Sequence, residues 1–317
     1  MQSTGMTISL PTVRDLDAET VVEAIRATSQ PPMSERGVEG ARAYLEERAA
    51  AAPPGPPLSR VSDELVDEGG VSVRVRVYRP DAPPGLPLVV YFHGGGWVVG
   101  SLDASDGFCR RLAAAAECVV VSVDYPLAPE YPFPAAVECA VRAVEWSAEH
   151  ADSWEADATR LAVLGDSAGG NIATVAVGRL ARAGKDLVRR QILAYPGVTA
   201  DRGASGSPFG TEWPLTDADR VWFIDQYAPD ERTRVDPDVA PLLSDVADMP
   251  RTTLLLAGCD PLLSEGLAYA EHLWTAGVSV DLHLYSGQIH GFLTFDETIL
   301  PSSGEAVGVV ANAIRNT

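Results

Sequence analysis

Lysine is almost absent from this 317-residue sequence, in which Lys185 is the single lysine among 24 basic residues. Acidic residues number 44, and the formal net charge at pH 7 is −20. Nucleic acids and anionic lipid headgroups are polyanions that bind clustered Lys and Arg side chains. The charge balance therefore predicts that neither is a partner of this chain.

Long apolar runs are also missing from the sequence. No stretch of about eighteen apolar residues occurs, so we expect no stable insertion into a membrane. The opening sequence, MQSTGMTISLPTVRDLD, has neither the basic start nor the apolar segment of a secretion signal. These two absences predict a cytoplasmic protein.

Cysteine is scarce, with four residues spread along the chain: Cys109, Cys118, Cys139 and Cys259. None of them forms a C-x-x-C pair, which a zinc site or a redox pair would favour. We therefore expect buried, reduced thiols and no metal site.

What the sequence contains is a regular alternation of apolar runs with amphipathic segments. The predicted strands are 71–78, 86–92, 118–123, 161–165, 191–195, 252–258 and 278–285, and the predicted helices are 104–116, 134–149, 169–183, 264–276 and 304–315. This order predicts an α/β fold with a mostly parallel central sheet flanked by helices. Ligands of such sheets bind at the carboxyl ends of the strands.

Two further helices are predicted before the sheet, at 18–30 and 34–50, and a Pro-rich linker follows them. We divide the chain into 1–58 (cap helices and linker), 59–199 with 236–317 (catalytic domain), and 200–235 (cap insertion).

The insertion at 200–235 combines Gly, Ser, Asp and Pro with five aromatic residues, and a helix is predicted to start at Thr216. Its aromatic residues are Phe209, Trp213, Trp222, Phe223 and Tyr227. Two interpretations stay open: a lid formed with the amino-terminal helices, or ordinary core packing.

The first candidate functional residue is Ser167, in the sequence Gly165-Asp166-Ser167-Ala168-Gly169. A buried strand precedes it and a good helix follows, which is the context that a nucleophile elbow requires. The G-x-S-x-G pattern alone is weak evidence, and a plain strand-to-helix turn is the alternative. The surrounding strand and helix favour a nucleophilic serine.

A glycine-rich loop, His93-Gly94-Gly95-Gly96-Trp97, follows the apolar strand at 86–92. Consecutive glycines let backbone N–H groups turn toward a developing oxyanion. We predict Gly94, Gly95 and Ala168 as the oxyanion-hole donors. A phosphate-binding loop is the alternative, but no G-K-[ST] follows and the G-x-G-x-x-G spacing is absent.

Among the five histidines, His290 is the predicted general base. It comes after the last strand, in a loop sequence, and follows the other candidates in chain order. The remaining histidines have structural explanations: His93 braces the glycine loop, and helix or strand patterns account for the rest, His150, His272 and His283.

The predicted acid is Asp260, which directly follows the apolar run TTLLLAG and precedes Pro261. Asp236, Asp238 and Asp245 lie in polar loop sequence, and Glu265 is the fallback.

Five motifs, in this order, resemble those of the hormone-sensitive-lipase-like esterases, the bacterial family IV lipolytic enzymes. They are HGGGW, DYPLAPEYPFPAA, GDSAGGN, DPLLSEG and HGF. The likeness covers nearly everything from residue 70 onward and implies the α/β-hydrolase fold with a helical cap. One departure is Pro126, because relatives commonly have arginine at this position.

The resemblance implies hydrolysis of short to medium acyl esters without a cofactor. The family roles then fall on Ser167, Asp260, His290 and the oxyanion-hole donors. We expect the substrate to be a small ester and its pocket to be lined by Trp97, Asp166, Trp213 and Phe223. A homodimer remains open.

Two other functions stay possible on the sequence. An amidase or a deacetylase acting on a small biosynthetic metabolite would use the same residues. A catalytically silent binding protein is the other alternative, because plant hormone receptors of this fold lack a working triad. Here all three positions are filled.

Overall fold

An eight-stranded sheet forms the centre of the computed structural model, which describes residues 13–68, 71–203 and 205–317. The strands are β1 (Arg60–Glu68), β2 (Val71–Arg79), β3 (Leu86–Phe92), β4 (Val119–Val123), β5 (Ala156–Asp166), β6 (Arg190–Ala194), β7 (Arg251–Cys259) and β8 (Val280–Ile289). Their spatial order is β1-β2-β4-β3-β5-β6-β7-β8. Strand β2 alone runs in the opposite direction to the other strands. The six strands that follow it in space, β4, β3, β5, β6, β7 and β8, are parallel.

Helices cover the sheet and extend beyond it. They are α1 (Leu16–Ala27), α2 (Met33–Ala51), α3 (Leu102–Ala116), α4 (Ala135–His150), α5 (Ala168–Arg182), α6 (Asp217–Tyr227), α7 (Leu263–Thr275) and α8 (Pro301–Arg315). Alternate residues of β3 enter two separate apolar clusters: Leu88 and Val90 belong to one, Val89 and Tyr91 to the other. Both faces of the sheet are therefore buried, which explains why this strand is apolar at nearly every position.

The predicted α/β-hydrolase fold is confirmed, and each predicted strand and helix has a counterpart. Strand β1 was missed, because its sequence RVSDELVDE is acidic and half exposed at the edge of the sheet. Strand β5 begins five residues before its predicted start at 161, and β8 continues to Ile289. His290 therefore follows a strand directly, where a longer loop was expected.

The segment predicted as a cap insertion contains α6, which begins after Thr216. The Thr216 hydroxyl caps the helix by accepting from the Asp219 amide at 3.0 Å. The side chain of Asp219 reaches the amino-terminal helices: its Oδ1 accepts from the backbone N–H of Ser34 in α2 at 2.8 Å. The amino-terminal helices and the insertion are thus in direct contact.

The aromatic residues of the insertion divide between the two interpretations left open by the sequence. Phe209, Phe223 and Tyr227 are buried in the apolar clusters, as core packing predicts. Trp213 and Trp222 are partly exposed, and Trp213 lines the large cavity described below.

No helix in the described part of the chain is both long and apolar enough to cross a bilayer. All four cysteines are buried and none is joined in a disulfide.

Candidate active site

Ser167 lies at the sharp turn between β5 and α5. Its φ of 54° is in the left-handed region, which a residue other than glycine rarely adopts. The turn is held by a hydrogen bond from the Ser167 amide to the Ala194 carbonyl at 2.9 Å. Gly169 allows it, because a Cβ there would overlap the Phe92 and His93 carbonyl groups. The turn thus has the form of the predicted nucleophile elbow.

Ser167, His290 and Asp260 form one continuous hydrogen-bonded chain. The Ser167 Oγ lies 2.8 Å from His290 Nε2, and His290 Nδ1 lies 2.7 Å from Asp260 Oδ2. The three residues follow β5, β8 and β7, whose carboxyl ends lie at one edge of the sheet. Parallel pairing therefore brings together side chains that are far apart in sequence.

The hydrogen-bond partners fix the direction of this chain. An ionised carboxylate only accepts, so Nδ1 of a neutral His290 carries the proton and donates to Asp260. Nε2 is then the acceptor for the Ser167 hydroxyl. Asp260 is held in turn, because its second oxygen accepts from the Leu262 amide at 2.8 Å. This arrangement leaves His290 ready to take a proton from Ser167.

Glu265, the fallback acid, is used elsewhere. It accepts from the Val198 amide at 2.7 Å and from the Thr199 hydroxyl at 2.8 Å, and Arg220 lies 3.4 Å away. Burial raises the pKa of the Glu265 carboxyl. The acid that contacts His290 is therefore Asp260.

His93 has the bracing position expected of it. Its ring stacks on Tyr125 with centroids 4.4 Å apart, and its Nδ1 lies 2.7 Å from the Gly94 carbonyl oxygen. Burial lowers the pKa of His93, which favours the neutral imidazole. The other histidines form no hydrogen bond with Ser167, and two of them, His150 and His272, bind backbone carbonyls at Trp146 and Ser244.

One of the predicted oxyanion donors has a hydrogen-bond partner within the protein. The Gly94 amide donates to Asp166 Oδ1 at 2.9 Å, so it is not free to bind an oxyanion. The amides of Gly95, Gly96 and Ala168 donate to no acceptor among the described residues. A Cβ at Gly96 would overlap the Phe223 ring, so only glycine fits there. Gly96, the next glycine of the same motif, was not among the predicted donors.

Asp166 was predicted to line the substrate pocket, and it also holds the glycine loop. The carboxylate is buried, and its Oδ1 accepts from both the Tyr91 hydroxyl at 2.7 Å and the Gly94 amide. Burial raises the pKa of this carboxyl group. Nothing in the sequence motif indicates that this side chain contacts the loop after β3.

A cavity of about 640 Å³ opens beside Ser167 and His290. All four residues predicted for the substrate pocket line it: Trp97, Asp166, Trp213 and Phe223. Its walls also include residues of α2, the segment that follows α2, and α6. The volume and the mainly apolar and aromatic walls suit a small organic ligand.

The comparisons with known proteins agree with this geometry. A family model for the α/β-hydrolase fold matches residues 89–294. The carboxylesterase NlhH of Mycobacterium tuberculosis is 37% identical over 309 residues, which are 94% of this chain and 95% of that protein. An ethyl acetate hydrolase of Pseudomonas putida is 38% identical over 305 residues, 93% of this chain and 95% of the relative.

Solved structures show the same likeness. A hyperthermophilic esterase from the archaeon Pyrobaculum calidifontis superposes with a TM-score of 0.89 at 36% sequence identity. The match covers 96% of this chain and 99% of that structure.

Proposed function

This chain belongs to the hormone-sensitive-lipase-like esterases of the α/β-hydrolase family and is a carboxylic ester hydrolase, and on this premise we propose that it cleaves short to medium acyl esters through an acyl-enzyme intermediate. The observation that carries the proposal is the hydrogen-bonded chain from Ser167 through His290 to Asp260. It ends at the cavity that the substrate would fill.

In the first step, His290 Nε2 takes the proton from Ser167 Oγ as this oxygen bonds to the ester carbonyl carbon. The carbonyl π electrons move to the oxygen, which becomes the oxyanion. Asp260 keeps His290 in the correct orientation and stabilises the imidazolium that forms.

The oxyanion is bound by the backbone amides of Gly95, Gly96 and Ala168. Gly95 and Ala168 belong to the original prediction, and Gly96 replaces Gly94. Ala168 is the first residue of α5, so the positive end of the helix dipole also favours the oxyanion. Donors fixed before the reaction stabilise the oxyanion more than the ground-state carbonyl, which accelerates the reaction.

Collapse of the tetrahedral intermediate breaks the bond to the alcohol oxygen. This oxygen takes the proton from His290 Nε2, and the alcohol leaves an acylated Ser167. A water molecule then attacks the acyl carbon and gives its proton to Nε2. The same proton returns to Ser167 Oγ as the carboxylic acid departs.

We also propose that residues 1–58 and 200–235 form a cap over the catalytic domain at 59–199 and 236–317. The contact between Ser34 and Asp219 and the walls of the cavity support this division. Residues 1–12 and 204 of the proposed cap lie outside the described residues.

A hydrolysis panel tests the proposed activity. We expect the purified protein to hydrolyse aryl esters of acetate to octanoate and to turn over the matched anilides far more slowly. A Ser167→Ala variant is the control and should lose ester hydrolysis. Anilide turnover above ester turnover would contradict the proposal and favour an amidase.

A further inference from the structure

Three arginines line the cavity beside Ser167: Arg48, Arg111 and Arg220. Two of them have carboxylate partners on the same wall. Arg220 lies 3.4 Å from Glu265, and Arg111 lies 3.5 Å from Asp296. The charges of these two guanidinium groups are therefore balanced within the protein.

The remaining carboxylates of the cavity are also accounted for. Asp103 and Asp106 both contact Arg76, at 2.8 Å and 3.4 Å. Asp166 accepts from the Tyr91 hydroxyl and from the Gly94 amide. None of these groups contacts Arg48.

Arg48 differs from the other two arginines because aromatic rings, not carboxylates, surround it. Its guanidinium carbon lies 5.7 Å from the ring centres of both Tyr44 and Trp213, and 5.8 Å from that of Phe295. Ring faces attract a cation and help to hold it in place. The three rings come from α2, the insertion and the segment after β8, so Arg48 lies where these parts meet.

The hydrogen-bonding capacity of Arg48 is largely unused. Among the described residues its only acceptor is the Tyr44 hydroxyl, 3.1 Å from Nη1. Among the side chains that the structure describes, no carboxylate forms an ion pair with this cavity-lining arginine.

We propose that Arg48 binds an anionic group of the substrate, so that the preferred substrates are esters carrying a carboxylate remote from the ester bond. A guanidinium presents paired N–H donors that match a carboxylate, and such charge-assisted bonds are stronger than neutral ones. The proposal rests on the proposed esterase function and narrows its substrate class. Monoesters of dicarboxylic acids place the carboxylate on the acyl side, and acetate esters of hydroxy acids place it on the alcohol side.

The experiment compares each anionic ester with a neutral ester of the same shape. Monomethyl adipate and the acetate ester of hydroxyhexanoate are each paired with an analogue in which an isopropyl group replaces the carboxylate. The measured quantity is the ratio of kcat/KM for the anionic ester to kcat/KM for its neutral analogue. We expect Arg48→Gln to lower this ratio about tenfold in at least one pair, the size of one lost charge-assisted hydrogen bond.

Arg36→Gln is the matched control. Arg36 also belongs to α2 and stacks on Tyr44, 3.8 Å from the ring centre, but it does not line the cavity. The Arg36→Gln substitution removes the same charge from the same helix and should leave the ratio of kcat/KM values unchanged. Arg48→Lys retains the positive charge and should keep part of the preference, and it also tests the proposal should the glutamine variant fold poorly.

The outcomes separate this inference from the proposed function. An unchanged ratio in both pairs for Arg48→Gln, in an enzyme that hydrolyses all four esters, would overturn the role of Arg48 alone. An equal fall in the Arg36→Gln variant would overturn it as well, since the effect would then be a general one of charge. A fall of the ratio in just one of the two pairs supports the proposal and identifies the side of the ester that carries the carboxylate. Failure of the wild-type protein to hydrolyse any of the esters would instead contradict the esterase function.

Discussion

The hydrogen bond between His290 Nδ1 and Asp260 Oδ2 determines which imidazole nitrogen faces Ser167. In Asp260→Asn, the amide nitrogen can face Nδ1 and reverse the tautomer, which leaves Nε2 protonated and unable to accept. We expect turnover of a neutral aryl ester to fall by about four orders of magnitude, measured as kcat at neutral pH.

Glu265→Gln is the comparison for this change. Glu265 contacts Val198, Thr199 and Arg220 but not His290, so its replacement should cost far less turnover. A loss in Glu265→Gln that equals the loss in Asp260→Asn would refute the assignment of the acid.

Asp166 offers a second test at the scale of one residue. Asn retains an oxygen that can accept from Tyr91 and the Gly94 amide, whereas Ala removes the acceptor and leaves two buried donors unpaired. We expect Asp166→Ala to lower kcat about a hundredfold through displacement of the glycine loop, and Asp166→Asn to lower it much less.

The affinity for a trifluoromethyl ketone, which forms an oxyanion on Ser167, provides the readout that a general loss of stability would not change. It should weaken in parallel with kcat, while KM for the ester changes little. Equal activity of the Ala and Asn variants would show that the hydrogen bonds of Asp166 do not position the loop.

The side chains that the structure brings together were predictable where a motif or the chain order indicates a single residue. Ser167 and His290 are identified by motif and chain order, and the apolar strand before Asp260 indicates its edge of the sheet. The sequence could not show which of Gly94, Gly95 and Gly96 has its amide bound within the protein, because the three residues are chemically identical. The Asp166 side chain accepts from one of these amides, and this contact depends on the pairing of β3 with β5.

At the scale of elements, Arg42 links α2 both to the residue after the glycine loop and to the segment that follows β4. It donates to the Val98 carbonyl at 2.9 Å and to the Ala128 carbonyl at 3.0 Å, and binds Glu130 through both oxygens, at 2.8 and 2.7 Å. Pro126 lies in the second of these segments, two residues before Ala128. Helix α2 thus contributes directly to the support of both segments.

The pH dependence of stability tests this link. Hydrogen bonds from Arg42 are the main cause that lowers the pKa of Glu130 from 4.5 to about 2. The folded state then binds fewer protons than the unfolded state in this interval, so the stabilisation is complete above pH 4.5 and disappears as the pH falls toward 2.

The measurement is the free energy of unfolding in urea for the wild-type protein and Glu130→Gln across this pH range. The difference between the two should be largest at neutral pH and should shrink on acidification. Glu130 is half exposed, so a small difference is expected throughout. A difference independent of pH would show that the ion pair does not form.

Elements were predictable where both faces of a strand are buried, because β3 and β4 are apolar at successive positions. Edge elements were not. The half-exposed β1 has an acidic sequence with no strong period, and the final residues of β8 enter the site and lose the alternation of its first half.

At the scale of the whole molecule, the first described residues are hydrogen-bonded to β8, the strand that directly precedes His290. The Asp15 amide donates to the Gly287 carbonyl at 3.0 Å. The Gln288 Nε2 lies 3.1 Å from both Asp15 and Asp17, and 2.9 Å from Ser302 Oγ. Gln288 therefore joins the amino-terminal segment, β8 and α8 two residues before His290.

Gln288→Ala would remove the three hydrogen bonds of this side chain and leave Asp15, Asp17 and Ser302 each with one partner fewer. We expect a loss of about 2 kcal/mol in the free energy of unfolding, measured in urea. Ser286→Ala, on the same strand with an exposed hydroxyl that bonds to none of the described residues, should change it little. Equal stabilities of the two variants would contradict this role.

The sequence predicted the parallel sheet and the edge at which the site lies, because both depend on the order of the elements. It did not decide between lid and core for the insertion. Apolar aromatic residues suit either place: Tyr227 belongs to the core, Trp213 to the cavity wall, and Phe223 to both.

The central claim is that Ser167 is the nucleophile, and labelling with a fluorophosphonate followed by peptide mass spectrometry tests it most directly. The account predicts one phosphonyl group per chain, on Ser167, and loss of ester hydrolysis in step with labelling. Full hydrolysis in a protein whose Ser167 stays unlabelled, or labelling at another serine that abolishes activity, would contradict it.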